Sequence, residues 1–232
     1  MTVFDMRLLA IDTALEACSA AVLDTGAGAV SAHDSLPMQR GHAEALMPLV
    51  ARVMDRSGLD FAALDRIAVT TGPGSFTGLR VGVAAARGIA LAAGKPAVGI
   101  STLSAFAAPF VTADDSAPVV AAIDARHDHV YLQVFGAGGR TLVTPRLASI
   151  VEALRIAASG APRLIGNAAK ILASAWPLDT PAPRAVEFRA APDIDWVARL
   201  GSAAVETDTP PKPLYLRAPD AQPQGASQLA RR

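Results

Sequence analysis

Two aspartates carry the first hint of chemistry. Asp12 ends the hydrophobic run Leu8-Leu9-Ala10-Ile11, and Ala10-Ile11-Asp12-Thr13 is echoed by Ala122-Ile123-Asp124-Ala125. A carboxylate at a strand end beside a hairpin can orient Mg²⁺ through water while the turn cradles nucleotide phosphates. Asp12, Thr13 and Asp124 are therefore candidates for a nucleotide cleft, although aspartates in such places also simply initiate their turns. A second candidate is Gly72–Gly78, which precedes a helix N-terminus whose free N–H groups can hold an anion. It is not a phosphate loop, since no Gly-Lys-Ser/Thr follows, and its third glycine is one residue late for G-x-G-x-x-G. Ser75 has Pro73 and Thr77 at the positions where a nucleophile elbow has glycines, so helix capping suits it better. His127 and His129 lie two apart near Asp124 and Asp128, and solvated hairpin residues fit them better than metal ligands. No H-x-x-x-H or H-E-x-x-H occurs, and no Ser/His/Asp or Cys/His set assembles. The single cysteine, Cys18, excludes an intrachain disulfide and reads as a buried structural thiol.

The elements that position these residues follow from the pattern. Arg7–Asp12, Cys18–Leu23 and Val30–Asp34 read as an antiparallel meander with a glycine-rich turn at Asp24–Gly28. Gly41–Ser57 is helical by the spacing of His42, Leu46, Leu49, Val50, Val53 and Met54, with Pro48 either near its start or kinking it. Arg66–Thr71 is a β-branched strand, a helix runs from Ser75–Thr77 to about Ala93, and Ala97–Ile100 is the next strand. That helix carries Gly78, Gly82, Ala86 and Ala90 four residues apart, so one ridge has almost no side chain. Glycine in a helix costs about 1 kcal/mol against alanine, so something must approach that backbone closely, either a neighbour in the same chain or another protein.

After a polar join at Thr112–Pro118 the pattern restarts, with Val130–Phe135 as its second strand and Gly136–Arg140 as a hairpin turn. Helices are expected at Leu147–Ala158, Ala168–Trp176 and Ile194–Val205, with a short strand at Arg163–Ile165. The chain is thus a duplicated βββαβαβ unit of the α/β class. From Thr209 onward the composition predicts little fixed structure except around Leu214-Tyr215-Leu216-Arg217.

Composition limits the function. Lys+Arg and Asp+Glu both number 21 in 232 residues, so no net basic field holds nucleic acid unaided. No apolar run looks long and clean enough to span a bilayer, and the start of the chain, with Asp5 and Arg7, lacks a signal-peptide shape. The expectation is a cytoplasmic protein with no membrane partner.

Five stretches together are recognisable: LAIDTALEACSAAVLD, RGHAEALMPLV, TTGPGSFTGLRVGVAAARGIALAAGKPAVGISTL, AAIDARHDHVYLQVF and PLYLR. They resemble the TsaB family, the non-catalytic partners in bacterial synthesis of the tRNA modification N6-threonylcarbamoyladenosine (t6A). The resemblance touches nearly the whole chain and is loose between Gly136 and Ala204. It implies a two-lobed actin-like ATPase fold (the ASKHA class, ribonuclease H-like), with lobes at 1–108 and 109–208 and a flexible tail at 209–232 partly docking on the first lobe or a partner. It implies pairing with the catalytic paralogue TsaD, assembly with the ATPase TsaE, tRNA contact through TsaD, and a homodimer as the alternative in isolation. No tightly bound cofactor is implied, and ATP/Mg enters only at the level of the TsaB–TsaD–TsaE assembly.

The resemblance also implies site residues. In TsaD a metal-binding H-x-x-x-H follows the stretch equivalent to Pro96–Ile100, and the aligned positions here are Thr102 and Phe106. Neither type suits a metal, so a pseudoenzyme with no catalytic or metal-ligating residue is expected. Partner contacts are expected from the helices of the first lobe: His42, Leu46, Val50 and Val53 on one, and Thr77, Gly78, Val81, Gly82, Ala85, Ala86 and Ile89 on the other. The rival is a small-molecule kinase or nucleotide hydrolase of the same fold class, working through Asp12 and Asp124; a metallopeptidase is disfavoured by the missing ligand pair.

Overall fold

The computed structural model describes residues 5–113, 117–158 and 160–217. Strands β1 (Arg7–Asp12), β2 (Ala17–Asp24) and β3 (Ala29–Pro37) form the antiparallel meander. Helix α1 (His42–Ser57) leads to β4 (Arg66–Gly72), which pairs parallel to β1, and α2 (Phe76–Ala93) leads to β5 (Ala97–Ser101), parallel to β4. The sheet order is β3-β2-β1-β4-β5. Pro48 lies inside α1 without interrupting it.

The second unit repeats this plan. Strands β6 (Val119–Arg126), β7 (His129–Phe135) and β8 (Thr141–Ser149) make the meander. Then come α4 (Ile150–Ala157), β9 (Arg163–Ile165), α5 (Ala169–Ser174) and β10 (Ala185–Glu187). The order β10-β9-β6-β7-β8 is the first sheet's order reversed in listing, with β6 and β9 parallel like β1 and β4. This is the duplicated βββαβαβ architecture of the actin-like ATPase fold. The third strand of the repeat runs through Ser149, so the helix expected from Leu147 begins only at Ile150, where Ser149 caps it.

Two helices stand outside the repeat and hold the lobes together. Helix α3 (Thr102–Ala113) follows β5, and its Leu103, Phe106 and Ala107 pack with Val119, Ala121 and Ile123 of the second sheet. Helix α6 (Ile194–Ala203) comes after the second unit, yet its Ile194, Val197 and Ala198 pack with Leu8, Ala10 and Ala68 of the first. The lobe limits expected from sequence, 1–108 and 109–208, therefore need correction: α3 covers the second sheet and α6 returns to the first. Arg66 fastens that return. Its guanidinium is almost fully buried and donates to the carbonyls of Gly201 (2.8 Å), Ser202 (3.1 Å) and Ala204 (2.9 Å), and to Glu206 Oε1 at 2.6 Å. Positive charge at a helix C-terminus satisfies otherwise unpaired carbonyls and meets the negative end of the helix dipole.

Each sheet is covered on both faces. In the first lobe, α1 and α2 cover one face through Leu46, Leu49, Val50, Val53, Val83 and Ala86, while α6 covers the other. Helix α2 has the length and apolarity of a membrane-crossing helix by composition alone, contrary to the sequence expectation. In the fold it packs on β4 with Leu79, Val83, Ala86 and Ala90 buried. The tail expected at 209–232 is described as far as Arg217; the remainder of that expectation lies outside the described residues.

Candidate functional site

The turn after β1 is closed from within. Asp12 has no exposed surface; its Oδ1 accepts from the Thr70 hydroxyl and from the Ala14 N–H at 3.1 Å, and its Oδ2 has no hydrogen-bond partner. Burial pushes its carboxyl up to about 6, against the lowering effect of the Thr70 and Ala14 hydrogen bonds and nearby His42. Thr13 is equally buried and donates its hydroxyl to the Gly78 carbonyl at 2.7 Å. Ser75 N–H donates to the Ala14 carbonyl at 2.7 Å, and Ser75 Oγ caps α2 by accepting from Gly78 N–H.

The small ridge of α2 is what makes this closure possible. A methyl group at Gly78 would overlap the Thr13 carbonyl oxygen, and one at Gly82 would overlap the Thr13 hydroxyl. A methyl at Gly74 would overlap the Ala14 carbonyl oxygen. The close approach inferred from the glycine spacing is thus to the chain's own β1–β2 turn. This corrects the reading of Gly78, Gly82 and Ala86 as partner contacts, for all three face the interior. The same correction applies to Leu46, Val50 and Val53, which have at most 1% of their surface exposed, and to His42, whose Nε2 donates to the Leu15 carbonyl at 3.0 Å. Thr77 is exposed, and Val81, Ala85 and Ile89 are half-buried, so these four keep surface on the outside of α2. Beside them are exposed Ala84, Gly88 and Leu91, with Met47 exposed on α1. Periodicity placed the helix but could not tell its two weakly polar faces apart.

Between the lobes lies a cleft of about 640 Å³. Gly74–Thr77 at the start of α2 form one wall, and Asp124, Arg126 and Asn167 of the second lobe form the other; Arg40 and Leu214–Arg217 also line it. Asp124 is exposed there, with its N–H donating to Asn167 Oδ1 at 2.8 Å and its Oδ1 accepting from Arg126 N–H at 2.7 Å. Asp12 and Thr13 are not among the cleft walls. The structure therefore brings one of the two sequence aspartates to the cleft and seals the other behind α2. The contribution of the C-terminal segment to the cleft was only partly legible, as an apolar Leu-Tyr-Leu-Arg island in a polar tail.

The two positions that the resemblance aligned with the TsaD metal motif lie at the start of α3 and within it. Thr102 and Phe106 are both buried, the phenylalanine in the core beneath β6. Among the described residues no three His, Cys, Asp or Glu side chains gather as a metal site. His129 Nδ1 donates to the His127 carbonyl at 2.6 Å within its hairpin. Cys18 is buried, and burial pushes its thiol up to about 11.

Comparison with known proteins decides the family. The sequence model described as TsaD, tRNA N6-adenosine threonylcarbamoyltransferase, matches residues 37–193. The tRNA threonylcarbamoyladenosine biosynthesis protein TsaB of Escherichia coli (strain K12) is 43% identical over 126 residues, 54% of this chain and 53% of that protein. The chain belongs to the TsaB family. An uncharacterized protein of Mycobacterium tuberculosis (strain H37Rv) is 32% identical over 225 residues, 93% of this chain and 94% of that one. The solved structure of YeaZ from Pseudomonas aeruginosa superimposes with a TM-score of 0.72 at 28% identity, covering 91% of this chain and 100% of that one. The match to the TsaB of E. coli spans about half the length of that protein.

Proposed function

We propose that this chain is a cytoplasmic, non-catalytic component of t6A synthesis on tRNA, which binds TsaD and, with it, TsaE. Family membership supports the pathway. The observation that carries the non-catalytic part is the sealed β1–β2 turn: Asp12 and Thr13 are buried and do not line the cleft, and α2 lies directly on the backbone of Thr13. The burial of Thr102 and Phe106 at the positions of the TsaD metal motif supports the same reading. ATP and Mg²⁺ then belong to the assembly rather than to this chain.

The partner surface is the outer side of α1 and α2. Thr77, Val81, Ala84, Ala85 and Leu91 fall on helical spacing, and Leu91 is 85% exposed. Exposed apolar residues gathered on neighbouring helices suit helix-to-helix docking, either with TsaD or, in its absence, with a second copy. A nucleotide-handling reading retains one observation in its favour, the open cleft with Asp124 in its wall.

Reconstitution tests both. With TsaD, TsaE, the threonylcarbamoyl-adenylate supply and tRNA, omission of this chain is expected to abolish t6A formation, and the chain alone is expected to hydrolyse no ATP. Ala84→Asp with Leu91→Asp should prevent co-elution with TsaD while leaving thermal stability within about 1 kcal/mol, since these are surface changes. Full t6A formation without the chain, or ATP turnover by the chain alone, overturns the proposal.

A further inference from the structure

The chain passes between the lobes after α3 and again before α6. A third connection is made by the segment after α6. Pro211 is buried, with its ring against Gly99 of β5, and Leu214 N–H donates to the Thr71 carbonyl at 2.7 Å. The Tyr215 ring lies 5.2 Å from that of Phe76 at the start of α2, and its hydroxyl accepts from Arg80 Nε at 3.1 Å. The Arg80 guanidinium also covers the Phe76 ring at 3.8 Å. Two residues further on, Arg217 crosses to the second lobe, where Nη1 donates to the Ala125 carbonyl at 3.2 Å.

The acceptor on the far side is held in place. Ala125 follows Asp124, whose N–H is bound by Asn167, and precedes Arg126, whose N–H is bound by Asp124. Arg126, His127 and Asp128 then take three successive left-handed conformations, with φ of 61°, 50° and 57°. Such a run persists only where its surroundings over-determine it, so the Ala125 carbonyl is presented on a fixed hairpin. Leu214–Arg217 thus cross the cleft that Gly74–Thr77 and Asp124 line.

We propose that residues 211–217 are a latch that sets how far the two lobes open. Its root is anchored on the first lobe by Pro211, Leu214 and Tyr215, and its catch is the bond from Arg217 to Ala125 on the second. Breaking the catch lets the lobes open on the cleft side, with α3 and α6 still joining them, and widens access to the start of α2 and the Asp124 hairpin together. The proposal stands apart from the TsaD reading, since every contact it uses is within this chain.

Spin labels on cysteines introduced at exposed Asp60 and Asp179 would report the distance between lobes in the full chain, Cys18 being buried and out of reach of the label. Arg217→Ala and, separately, Tyr215→Ala should each shift the distance distribution to longer values and broaden it, with Arg217→Lys in part restoring the parent distribution. Amide exchange at Gly74–Thr77 should rise about tenfold in Arg217→Ala, the scale of one lost hydrogen bond from a charged group. Circular dichroism confirms that each variant is folded. Superimposable distributions for the parent and Arg217→Ala, with unchanged exchange at Gly74–Thr77, would overturn the latch.

Discussion

Three glycines on one helix should respond to the same substitution in different ways, and the order tests the inward ridge directly. At Gly78 a methyl would overlap the Thr13 carbonyl oxygen, which belongs to the backbone of the β1–β2 turn and cannot rotate away. Relief requires moving the turn or lifting α2 from it. Overpacking of this kind costs about 1–3 kcal/mol or more, against a gain of about 1 kcal/mol in helix propensity. Because the obstacle is a backbone oxygen, the cost lies at the upper end of that range or beyond, and Gly78→Ala is expected to destabilise by roughly 2 kcal/mol or more, a fall in melting temperature of at least about 4–8 °C for a chain of this size. At Gly82 the obstacle is the end of a side chain, the Thr13 hydroxyl. Turning it aside breaks its bond to the Gly78 carbonyl, about 1 kcal/mol, so propensity and loss nearly cancel. At Gly88 nothing lies within 4 Å of the added methyl, and only the propensity gain of about 1 kcal/mol remains. Chemical and thermal unfolding of the three alanine variants should rank Gly88 above the parent, Gly82 close to it and Gly78 clearly below. A Gly78→Ala variant as stable as the parent would refute the packing of α2 on Thr13, and with it the argument that the turn is sealed.

Two further outcomes follow from the buried polar groups. Because the folded carboxyl of Asp12 titrates near 6 rather than 3.8, the folded state binds the extra proton between those values, and stability falls as pH rises through that window. Asp12→Asn removes this dependence, so from pH 4 to pH 8 the variant should gain about 2.4 kcal/mol on the parent. Paired unfolding curves at the two pH values check it, and parallel curves would contradict the assignment. Arg66→Met leaves the carbonyls of Gly201, Ser202 and Ala204 without their donor. A loss of roughly 2–4 kcal/mol is expected, with the exposed Glu206 contributing little, and amide exchange should rise first in α6.

The sequence is most legible where local chemistry and tertiary role agree. Gly94 and Pro96 mark the end of α2, and Ser75 its start, because capping is decided within a few residues. The duplication is legible because both hairpins repeat an apolar run ending in Ile-Asp. Helix α3 is not, since its sequence shows no polar face from which to read a helical period, and Leu103, Phe106 and Ala107 pack against the second sheet. Its Pro109 argues further against a helix. Strand β8 is obscured in the same way by Pro145, tolerable because β8 is at the sheet edge. The crossing of α6 to the first lobe depends on Arg66, a residue 135 positions from its partner Gly201, and no local pattern encodes such a pairing. For the site, spacing revealed that something approaches Gly78 and Gly82 closely but not what, and it offered Asp12 and Asp124 as equals although only one faces the cleft.

The two sides of α2 give the proposed function its internal logic. The inner ridge has almost no side chain, so the helix lies directly on Thr13, and this contact occupies the backbone of the β1–β2 turn. The outer side bears short or apolar residues, Val81, Ala84, Ala85 and Leu91, with Arg80 and Arg87 as the helix's charges. A helix needing only to cover a sheet gains nothing from an apolar outer side, which costs solubility. On the proposed function the two features answer to different demands, one to closure of the turn and one to docking. Changes at Gly78 should therefore weaken the fold and carry the docking surface down with it, whereas changes at Ala84 and Leu91 should remove docking from a chain that remains folded.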